Sequence, residues 1–513
     1  MRFDIGINAI RAQQLPPDAP PWITVTHDGW NVAGDRAGYR ETFVWADPQR
    51  VIISTTLEEL VESMEALSIA PAISPFGISQ ILHHGFPPVP HTVFQGVSRL
   101  ASGDVAHLAA NDGEIGLTIT SAWPWLSALS REDQVPSPER LRDLIGSALN
   151  RQLESSDSSS VLMLSSGKDS AALAVALAAE GRTDVSCFTF KAGPKDQEHV
   201  YAAELCRRLN LTHHTFVMPT DSAATERALV HFFERSPFPT ADQAAIPYLI
   251  ITEETKGEYG SIIDGGGNDG YMGFLPSRDT RIKHTFRVRN RAIANIIKNR
   301  ITHDSPLNYF TRTRAATALP NRMFRNSETR EFYPDAVDTD AYWQEQGLAL
   351  SHLEEFDFLA ATRTRHSEPS RVHPKVFMAA RAHNMTPILP YCDEALADYY
   401  FNLPETSRFE RSTRTNKLLL RELLEEAVGY ESAKVGANHF QFDGASFLLD
   451  NRRFVRDEIL SCQLWSSDLQ PILEEWLQAL PQRPFLYHSL LALFMISGWH
   501  NHSIYAPAVS AAS

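Results

Sequence analysis

The spacing of apolar residues along the chain changes near residue 130. Residues 1–126 hold short apolar clusters, such as Trp22–Val25 and Val51–Ile53, between turn signals such as Asp28-Gly29. This pattern is typical of strands joined by tight turns. The sequence therefore predicts a strand-rich first domain over 1–126, followed by a polar linker with two prolines at 127–138.

A second domain over 137–505 is predicted from a different pattern. Ser137-Pro138-Glu139 has the composition of a helix start, and apolar residues then recur at helical spacing from Leu141. Beyond it, apolar runs typical of strands alternate with helical patterns, and residues from about 350 to 505 are mainly helical. Strands alternating with helices predict an α/β fold with a parallel sheet, whose ligands bind beyond the carboxyl ends of the strands. The predicted strands are 161–164, 185–190, 213–218 and 260–264, and the predicted helices are 171–180, 197–209 and 244–255.

One stretch of this domain indicates chemistry. Residues 161–171 read Val-Leu-Met-Leu-Ser-Ser-Gly-Lys-Asp-Ser-Ala, an apolar strand followed by small residues and a helix. A tight turn from strand to helix gathers free backbone N–H groups at the positive end of the helix dipole, which favours a phosphate. The charge of Asp169 does not favour phosphate directly, so its presence indicates a divalent cation that bridges to phosphate oxygens. The stretch predicts a nucleotide site.

Composition narrows the class of protein. The 513 residues are 43% hydrophobic and 21% charged, as in ordinary globular proteins, and the net charge of −15 argues against general nucleic-acid binding. No apolar run is long enough to span a membrane. The four cysteines form no C-x-x-C pair, which indicates reduced thiols in a cytoplasmic protein. The 19 histidines show no metal-ligand spacing, and a structural role is the preferred interpretation for them.

The charge is unevenly distributed. Residues 278–330 contain thirteen Lys or Arg against three acidic residues, with a predicted helix at 291–300. The preferred interpretation is a solvated helical surface. The alternative is a docking surface for an acidic partner, such as a carrier protein, a peptide or a phosphorylated substrate.

Five motifs, in order along the chain, resemble a known family. Ser-Ser-Gly-Lys-Asp-Ser at 165–170 resembles the pyrophosphate loop Ser-Gly-Gly-x-Asp-Ser of ATP pyrophosphatases. The segment at 262–274 is similar to Gly-Asp-Gly-Gly-Asp-Glu-Leu-Phe-x-Gly-Tyr of asparagine synthetases. Three further regions match that family. Residues 91–103 match its glutaminase hairpin and 386–404 its Val-Pro-Phe-Leu-Asp region. In the third region, 417–421 match its Lys-x-x-Leu-Arg helix and 433–436 its Arg-x-Lys-x-Gly-Phe loop. The resemblance implies a degenerate, Ntn-hydrolase-like β-rich domain followed by a pyrophosphate-loop domain with added helices.

The resemblance also implies roles for individual residues. Asp169 would hold Mg²⁺ for ATP, and Lys434 would be the catalytic cation at the reacting carboxyl and pyrophosphate. Lys168 either adds a phosphate contact or points into water, and Glu198 is interpreted as a charge at a helix start. The remaining residues expected to contact the nucleotide are Leu164, Ser165, Ser166, Gly167, Ser170, Phe190, Gly266 and Gly267.

Departures from the family pattern are equally informative. Glutamine-dependent members use a cysteine directly after the initiator Met as nucleophile, whereas Arg2 occupies that position and no cysteine precedes Cys187. Asn268 aligns with the second metal-binding aspartate, although a shift of one residue gives the metal to Asp269 instead. Thr386 replaces a glutamate associated with the amino-acid substrate, which makes aspartate an unsuitable substrate.

The leading hypothesis is an ATP-dependent, AMP-forming ligase that joins a small-molecule or peptide carboxylate to an amine or ammonia without glutamine, in natural-product or peptide biosynthesis. A lasso-peptide macrolactam cyclase is one alternative. β-Lactam synthetases are similar too, but they carry a tyrosine where this chain has Gly265. A tRNA-modifying enzyme is disfavoured by the acidic charge. A non-catalytic scaffold remains the third class, and the chain is compatible with assembly into an oligomer.

Overall fold

The computed structural model describes residues 1–125, 135–154, 159–191, 196–217, 222–272, 275, 313–319, 323–430 and 442–506. Over these residues the chain is mixed α/β, with one parallel five-stranded sheet and two antiparallel four-stranded sheets, which confirms the α/β class. Several predictions from the sequence lie outside the described residues: Lys434, the helix at 291–300, most of the linker and most of the basic segment 278–330.

The two four-stranded sheets of the first domain are antiparallel and pack face to face. One has the strand order β1-β5-β4-β6 and the other β2-β3-β7-β8. Phe3 on one sheet and Trp30 on the other belong to a single buried cluster, so apolar residues alternate toward a shared interior as strand geometry requires. The strands are β1 (Arg2–Gly6), β2 (Ile23–Val25), β3 (Gly29–Ala33), β4 (Phe43–Ala46), β5 (Arg50–Ser54), β6 (Val97–Arg99), β7 (Asp104–Asn111) and β8 (Glu114–Ser121), with helices α1 (Ile7–Arg11), α2 (Leu57–Ala66) and α3 (Pro75–His84).

The first domain shares its core with the rest of the chain. Phe43 and Ile52, on the opposite face of the first sheet, lie in one buried cluster with Leu229 and Phe494. An ion pair also crosses between the two parts, because buried Glu41 accepts a hydrogen bond from Arg381 at 2.6 Å. The two regions of sequence therefore form one packed body.

The parallel sheet is formed by strands far apart in sequence. Its order is β11-β10-β9-β12-β13, so the chain first moves outward from β9 and then returns to add β12 on the other side. Adjacent loops after β9 and β12 therefore mark the point where the strand order reverses, the place where ligands bind in such sheets. The strands are β9 (Ser160–Met163), β10 (Ser186–Lys191), β11 (Thr212–Val217), β12 (Ser261–Ile263) and β13 (Thr386–Ile388).

Helices cover this sheet and extend the domain. Ser137 caps α4 by accepting from the N–H of Arg140 at 3.1 Å, with Pro138 in the first turn, as the sequence predicted. Around the sheet lie α4 (Pro138–Leu153), α5 (Lys168–Ala179), α6 (Glu198–Leu209), α7 (Ser222–Arg235), α8 (Ala245–Glu254) and α9 (Asn268–Met272). Later come α10 (Asn326–Phe332), α11 (Asp340–Ala349), α12 (Glu355–Thr362), α13 (His373–Ala382), α14 (Glu394–Asn402), α15 (Glu405–Arg408), α16 (Leu418–Val428), α17 (Gly444–Asp450), α18 (Arg452–Ser461), α19 (Leu469–Ala479) and α20 (Leu486–His502).

Shorter elements complete the described chain. A ten-residue π-helical stretch, Arg363–Val372, joins α12 to α13 and is called the π segment below. Two 3₁₀ turns (Ala315–Ala318, Pro390–Cys392) and a hairpin of β14 (Phe409–Glu410) with β15 (Thr415–Asn416) make up the rest. Among the described helices, none combines the length and apolar character needed to cross a membrane. All four cysteines are buried free thiols.

Candidate nucleotide site

Two loops meet where the strand order of the parallel sheet reverses. One runs from β9 into α5 and the other from β12 into α9, and they lie side by side because β9 and β12 are paired neighbours. Together they enclose a cavity of about 310 Å³. The predicted residues that line it are Leu164, Ser165, Gly167, Asp169, Ser170, Phe190, Gly266, Gly267 and Asp269.

Hydroxyl groups fix the shape of the first loop. Ser170 Oγ accepts a hydrogen bond from the N–H of Ser165 at 3.0 Å, and Ser165 Oγ accepts from the N–H of Gly167 at 3.0 Å. Helix α5 begins directly after Gly167, which has no side chain to cap it. The first N–H groups of the helix are therefore left to a ligand, at the positive end of its dipole.

Ser166 is not among the residues that line this cavity. Its N–H and its hydroxyl both donate to Glu198 Oε1, at 2.9 and 3.1 Å, and Tyr430 donates to its carbonyl at 2.5 Å. Ser166 lines a neighbouring pocket of about 190 Å³ with Tyr201 and Leu205 instead. The interpretation of Glu198 as only a helix-start charge is wrong, because this buried carboxylate holds the loop and lines the 310 Å³ cavity.

The second loop approaches the first closely because of its glycines. Gly267 has φ +99°, and a Cβ added there would lie 2.8 Å from Cys392 Sγ. A Cβ on Gly265 would lie 3.1 Å from Cβ of Asp169, so small residues are needed where the two loops touch. Gly265 is thus the residue that brings the second loop against Asp169.

Asp169 is bound from three sides. Its Oδ1 accepts from the side-chain amide of Asn268 at 2.5 Å, and its Oδ2 lies 2.5 Å from Lys417 Nζ. Tyr391 donates to its backbone carbonyl at 2.9 Å. Lys417 Nζ also lies 2.6 Å from Asp269 Oδ1, so one ammonium group joins the two carboxylates.

Lys417 reaches this position through an unusual backbone. It has φ +59° at the residue preceding α16, a conformation that costs a residue with a side chain about 1–2 kcal/mol. Burial lowers the pKa of its ammonium group, but Asp169 and Asp269 outweigh that effect and raise the pKa above its ordinary value. The sequence indicated Lys417 only as the first residue of a helix motif, and its part in the site was missed.

The arrangement fits a divalent cation. Asp169 and Asp269 direct carboxylate oxygens at one cationic position, and carboxylate oxygens are the ligands that Mg²⁺ uses. Asn268 presents its amide N–H, not its oxygen, to Asp169, and its Oδ1 is buried with no hydrogen-bond partner among the described residues. Of the two alternatives left by the sequence, Asp269 is therefore better oriented than Asn268.

Asp264 serves the loop itself. It accepts from the N–H of Gly266 at 2.7 Å and from the hydroxyl of Tyr248, while Lys375 Nζ lies 3.7 Å away. Burial lowers the pKa of Lys375, but the charges of Asp264, Asp242 and Glu368 together outweigh burial and raise it above its ordinary value. Tyr248 and Lys375 line the cavity and were not predicted, because they come from α8 and α13, far from either motif.

The π segment contributes a second set of charges. Arg363 lies 3.6 Å from Asp269 Oδ2 and 3.3 Å from Glu368 Oε1. Glu368 is buried and lines the cavity, and burial raises its pKa. Wide π turns are rare and occur often at functional sites, but the polar run that forms this one was not recognised in the sequence.

One end of the cavity is apolar. Leu164 continues the sheet by donating its N–H to the carbonyl of Phe188 at 2.8 Å, and Phe190 stacks on Phe216 at 6.3 Å between ring centroids. Both Leu164 and Phe190 line the cavity beside Ala244. This end of the cavity therefore presents an apolar and partly aromatic surface.

The cavity lining as a whole is strongly acidic. The described lining includes six carboxylates and a single ammonium group, that of Lys375. A polyphosphate alone would be repelled by such a lining, so it would have to enter with divalent cations that cancel its charge. Lys168 is not among the lining residues and lies in the first turn of α5, where burial, Arg421 and Lys417 lower its pKa to about 8.

Comparison with known proteins agrees with this geometry. A search of curated proteins finds no match. Residues 140–497 match the model of the asparagine synthase family, and these residues span well over half of the chain and include both loops, the π segment and Lys417. The chain therefore belongs to the asparagine synthase family.

Proposed function

We propose that this protein is an AMP-forming amide ligase that uses an amine or ammonia directly, without glutamine. Membership of the asparagine synthase family supports the general part of this proposal, that the chain is an ATP-dependent, amide-forming ligase with a carboxylate and an amine or ammonia as substrates. The specific part of the proposal rests on the pair Asp169 and Asp269. Their carboxylate oxygens converge on the ammonium group of Lys417, beside the start of α5, which no side chain caps.

ATP would lie with its base at the apolar end, against Leu164 and Phe190, and its phosphates at the start of α5. Mg²⁺ held by Asp169 and Asp269 would neutralise phosphate charge when bound. Ser165, Gly167 and Ser170 line the cavity at this end, where the first N–H groups of α5 are suited to phosphate oxygens.

The reaction makes a carboxylate reactive toward an amine. An oxygen of the substrate carboxylate attacks the α-phosphorus, and the bond to pyrophosphate breaks, which leaves an acyl-AMP. The amine then attacks the acyl carbon, loses a proton, and AMP departs with the electrons of the carbon–oxygen bond. The cavity would hold the acyl-AMP away from water until the amine arrives. Lys434 remains our proposed cation for the charge that develops at the carboxyl and on pyrophosphate.

Glutamine independence rests on the first domain. Residues 1–126 contain no cysteine, and the position that carries the nucleophile in glutamine-dependent members is Arg2, an exposed residue of β1. The terminal ammonium of Met1 is bound by Thr55 and Glu59, at 2.9 and 3.1 Å. We infer that this domain is a structural remnant, so Arg2→Cys should release no glutamate from glutamine, and glutamate release by that variant would contradict the inference.

The proposal is tested by the products formed from ATP. The purified protein, with ATP, Mg²⁺ and panels of carboxylic acids and amines, should release AMP and pyrophosphate in equal amounts. Asp169→Asn should lose this activity while still unfolding in a single cooperative transition. Asp143→Asn, a change at an exposed site, should keep the activity. Formation of ADP and phosphate, or full activity in Asp169→Asn, would overturn the proposal.

Two alternatives are distinguished by the same assay. A non-catalytic scaffold is favoured by Asn268 at an expected metal position and by Lys417 between the two carboxylates, and it predicts no turnover with any substrate. A lasso-peptide cyclase would act in peptide or antibiotic biosynthesis, and this alternative predicts loss of one water from a single linear peptide.

Binding of an acidic partner to the basic segment 278–330 stays a separate proposal. Two arginines of this segment that the structure describes already have contacts: Arg314 stacks on Phe358 at 3.8 Å, and Arg325 pairs with Glu328 at 2.7 Å.

A further inference from the structure

A second group of metal-ligand side chains lies outside the nucleotide cavity. His231 on α7, Glu253 on α8 and His383, which directly follows α13, each direct one ligand atom at a common point, with all three atoms within 4.8 Å of one another. His231 Nδ1 lies 3.2 Å from Glu253 Oε2, and His383 Nε2 lies 3.5 Å from the same oxygen.

These separations match the edges of a zinc tetrahedron. Zinc binds His nitrogen and carboxylate oxygen at roughly 2.0–2.1 Å, and two ligands of a regular tetrahedron of that size lie about 3.3 Å apart. Two imidazoles and one carboxylate are also a donor set that zinc prefers over Mg²⁺ or Ca²⁺. A small adjustment of the partly exposed His231 would complete the geometry.

An independent observation concerns the buried member of the group. The His383 side chain is 3% exposed, and its Nε2 has no hydrogen-bond partner within the described part of the chain although it faces Glu253. The other oxygen of Glu253 is held by Lys256 at 2.5 Å, which leaves Oε2 for the two histidines.

Access comes from the solvent side. His231 lines an open groove of about 420 Å³ with Glu226, Arg227 and Phe454. A metal at this point would therefore keep a fourth position for water, as open zinc sites do.

We propose that His231, Glu253 and His383 form a zinc site that clamps α7, α8 and α13 together. The clamp acts on the helices that hold the second loop of the cavity, because Tyr248 on α8 and Lys375 on α13 both contact Asp264. This inference does not depend on the proposed ligase reaction, since its ligands are separate from every residue assigned to nucleotide.

The test is zinc binding to the full chain. Metal-free protein in excess Mg²⁺, which occupies carboxylate sites elsewhere, is titrated with Zn²⁺ in a calorimeter and with Co²⁺ in a visible spectrometer. Wild type should bind one Zn²⁺ and give the intense visible bands of tetrahedral Co²⁺. Mutation of a residue that only hydrogen-bonds to a metal ligand lowers metal affinity about 10- to 100-fold. Loss of a ligand itself, in His231→Gln or Glu253→Gln, should therefore weaken Zn²⁺ binding at least about 100-fold.

Controls separate the site from general histidine binding. His352→Gln, at an exposed histidine outside the group, should bind Zn²⁺ as wild type does. Zn²⁺ should raise the thermal midpoint of wild type and of His352→Gln but not of His231→Gln. Equal zinc affinity in wild type and His231→Gln, or no zinc binding by wild type, would overturn the site. Either result would leave the AMP assay of the nucleotide site unaffected.

Discussion

Lys417→Met removes the ammonium group that joins Asp169 to Asp269 while keeping a long side chain. Breaking a fully buried ion pair costs about 3–5 kcal/mol, and breaking an exposed one costs about 1 kcal/mol or less. The side chains here are 11% (Lys417), 24% (Asp169) and 47% (Asp269) exposed, which lies between those cases. We therefore expect the free energy of unfolding to fall by about 2 kcal/mol in EDTA, a value between those two costs.

Magnesium should reverse this loss in the variant. Without Lys417 the two carboxylates have no shared cation, so Mg²⁺ can bind there without displacing an ammonium group. A ligand at about 100 times its Kd adds roughly 2.7 kcal/mol to the free energy of unfolding, and wild type should gain less. Urea unfolding followed by the fluorescence of the nine tryptophans, with EDTA or Mg²⁺, measures both effects.

Two further variants make the experiment decisive. Arg182→Met breaks a surface pair with Asp184, at 2.9 Å for both hydrogen bonds, and should change stability by at most about 1 kcal/mol with no magnesium effect. The double variant Lys417→Met, Asp269→Asn should be more stable in EDTA than Lys417→Met alone, because one of the two carboxylates that repel each other is gone. It should also lose the stabilisation by Mg²⁺, because only one carboxylate remains to bind the ion. If Lys417→Met were as stable as wild type in EDTA, or gained no more from Mg²⁺, the idea of one shared cation position would be refuted.

Three other outcomes follow from the same contacts. The KM for ATP should rise as pH increases through about 8, because Lys168, whose pKa burial lowers to about 8, loses its charge there. In a steady-state assay, Lys168→Arg should remove that rise. If the pH profile of Lys168→Arg matched that of wild type, the phosphate contact would be excluded. Glu198→Ala removes two hydrogen bonds to Ser166, each worth about 1.5–3 kcal/mol, so it should raise the KM for ATP well above that of Glu198→Gln, and equal values would contradict this. Tyr248→Phe leaves an oxygen of buried Asp264 without its donor and should cost about 1–3 kcal/mol in urea unfolding, whereas no change would show that the hydroxyl does not hold the loop.

The strands of the parallel sheet could be predicted because their pattern is local. A buried parallel strand is a short, mainly apolar run, and the runs at 161–164, 185–190 and 260–264 correspond to β9, β10 and β12 within one or two residues. The prediction at 213–218 corresponds to β11, a largely exposed edge strand, and β13 was not predicted. The two loops that follow β9 and β12 were predicted for the same reason. That these loops are neighbours depends on the strand order, for which the family resemblance was the only guide.

The residues that were missed reach the site from distant parts of the chain. Lys417 turns into the site through a positive φ that the Lys-x-x-Leu-Arg pattern does not indicate. Glu198 was identified by position, but its bond to Ser166 spans 32 residues. The zinc ligands His231 and His383 come from separate elements, so no spacing in the sequence connects them.

The polar π segment connects the first domain to the cavity. Arg365 donates to buried Asp104 of β7 at 2.6 Å, while Arg363, two residues earlier, contacts Asp269 and Glu368 at the cavity. A ten-residue run so rich in charge would ordinarily be solvated, and burying it requires a partner for each charge. Asp104 supplies one of those partners from the first domain, so Asp104→Ala would remove the carboxylate that pairs with buried Arg365. The first domain is thus part of the support of the ligase site, whatever chemistry its relatives perform.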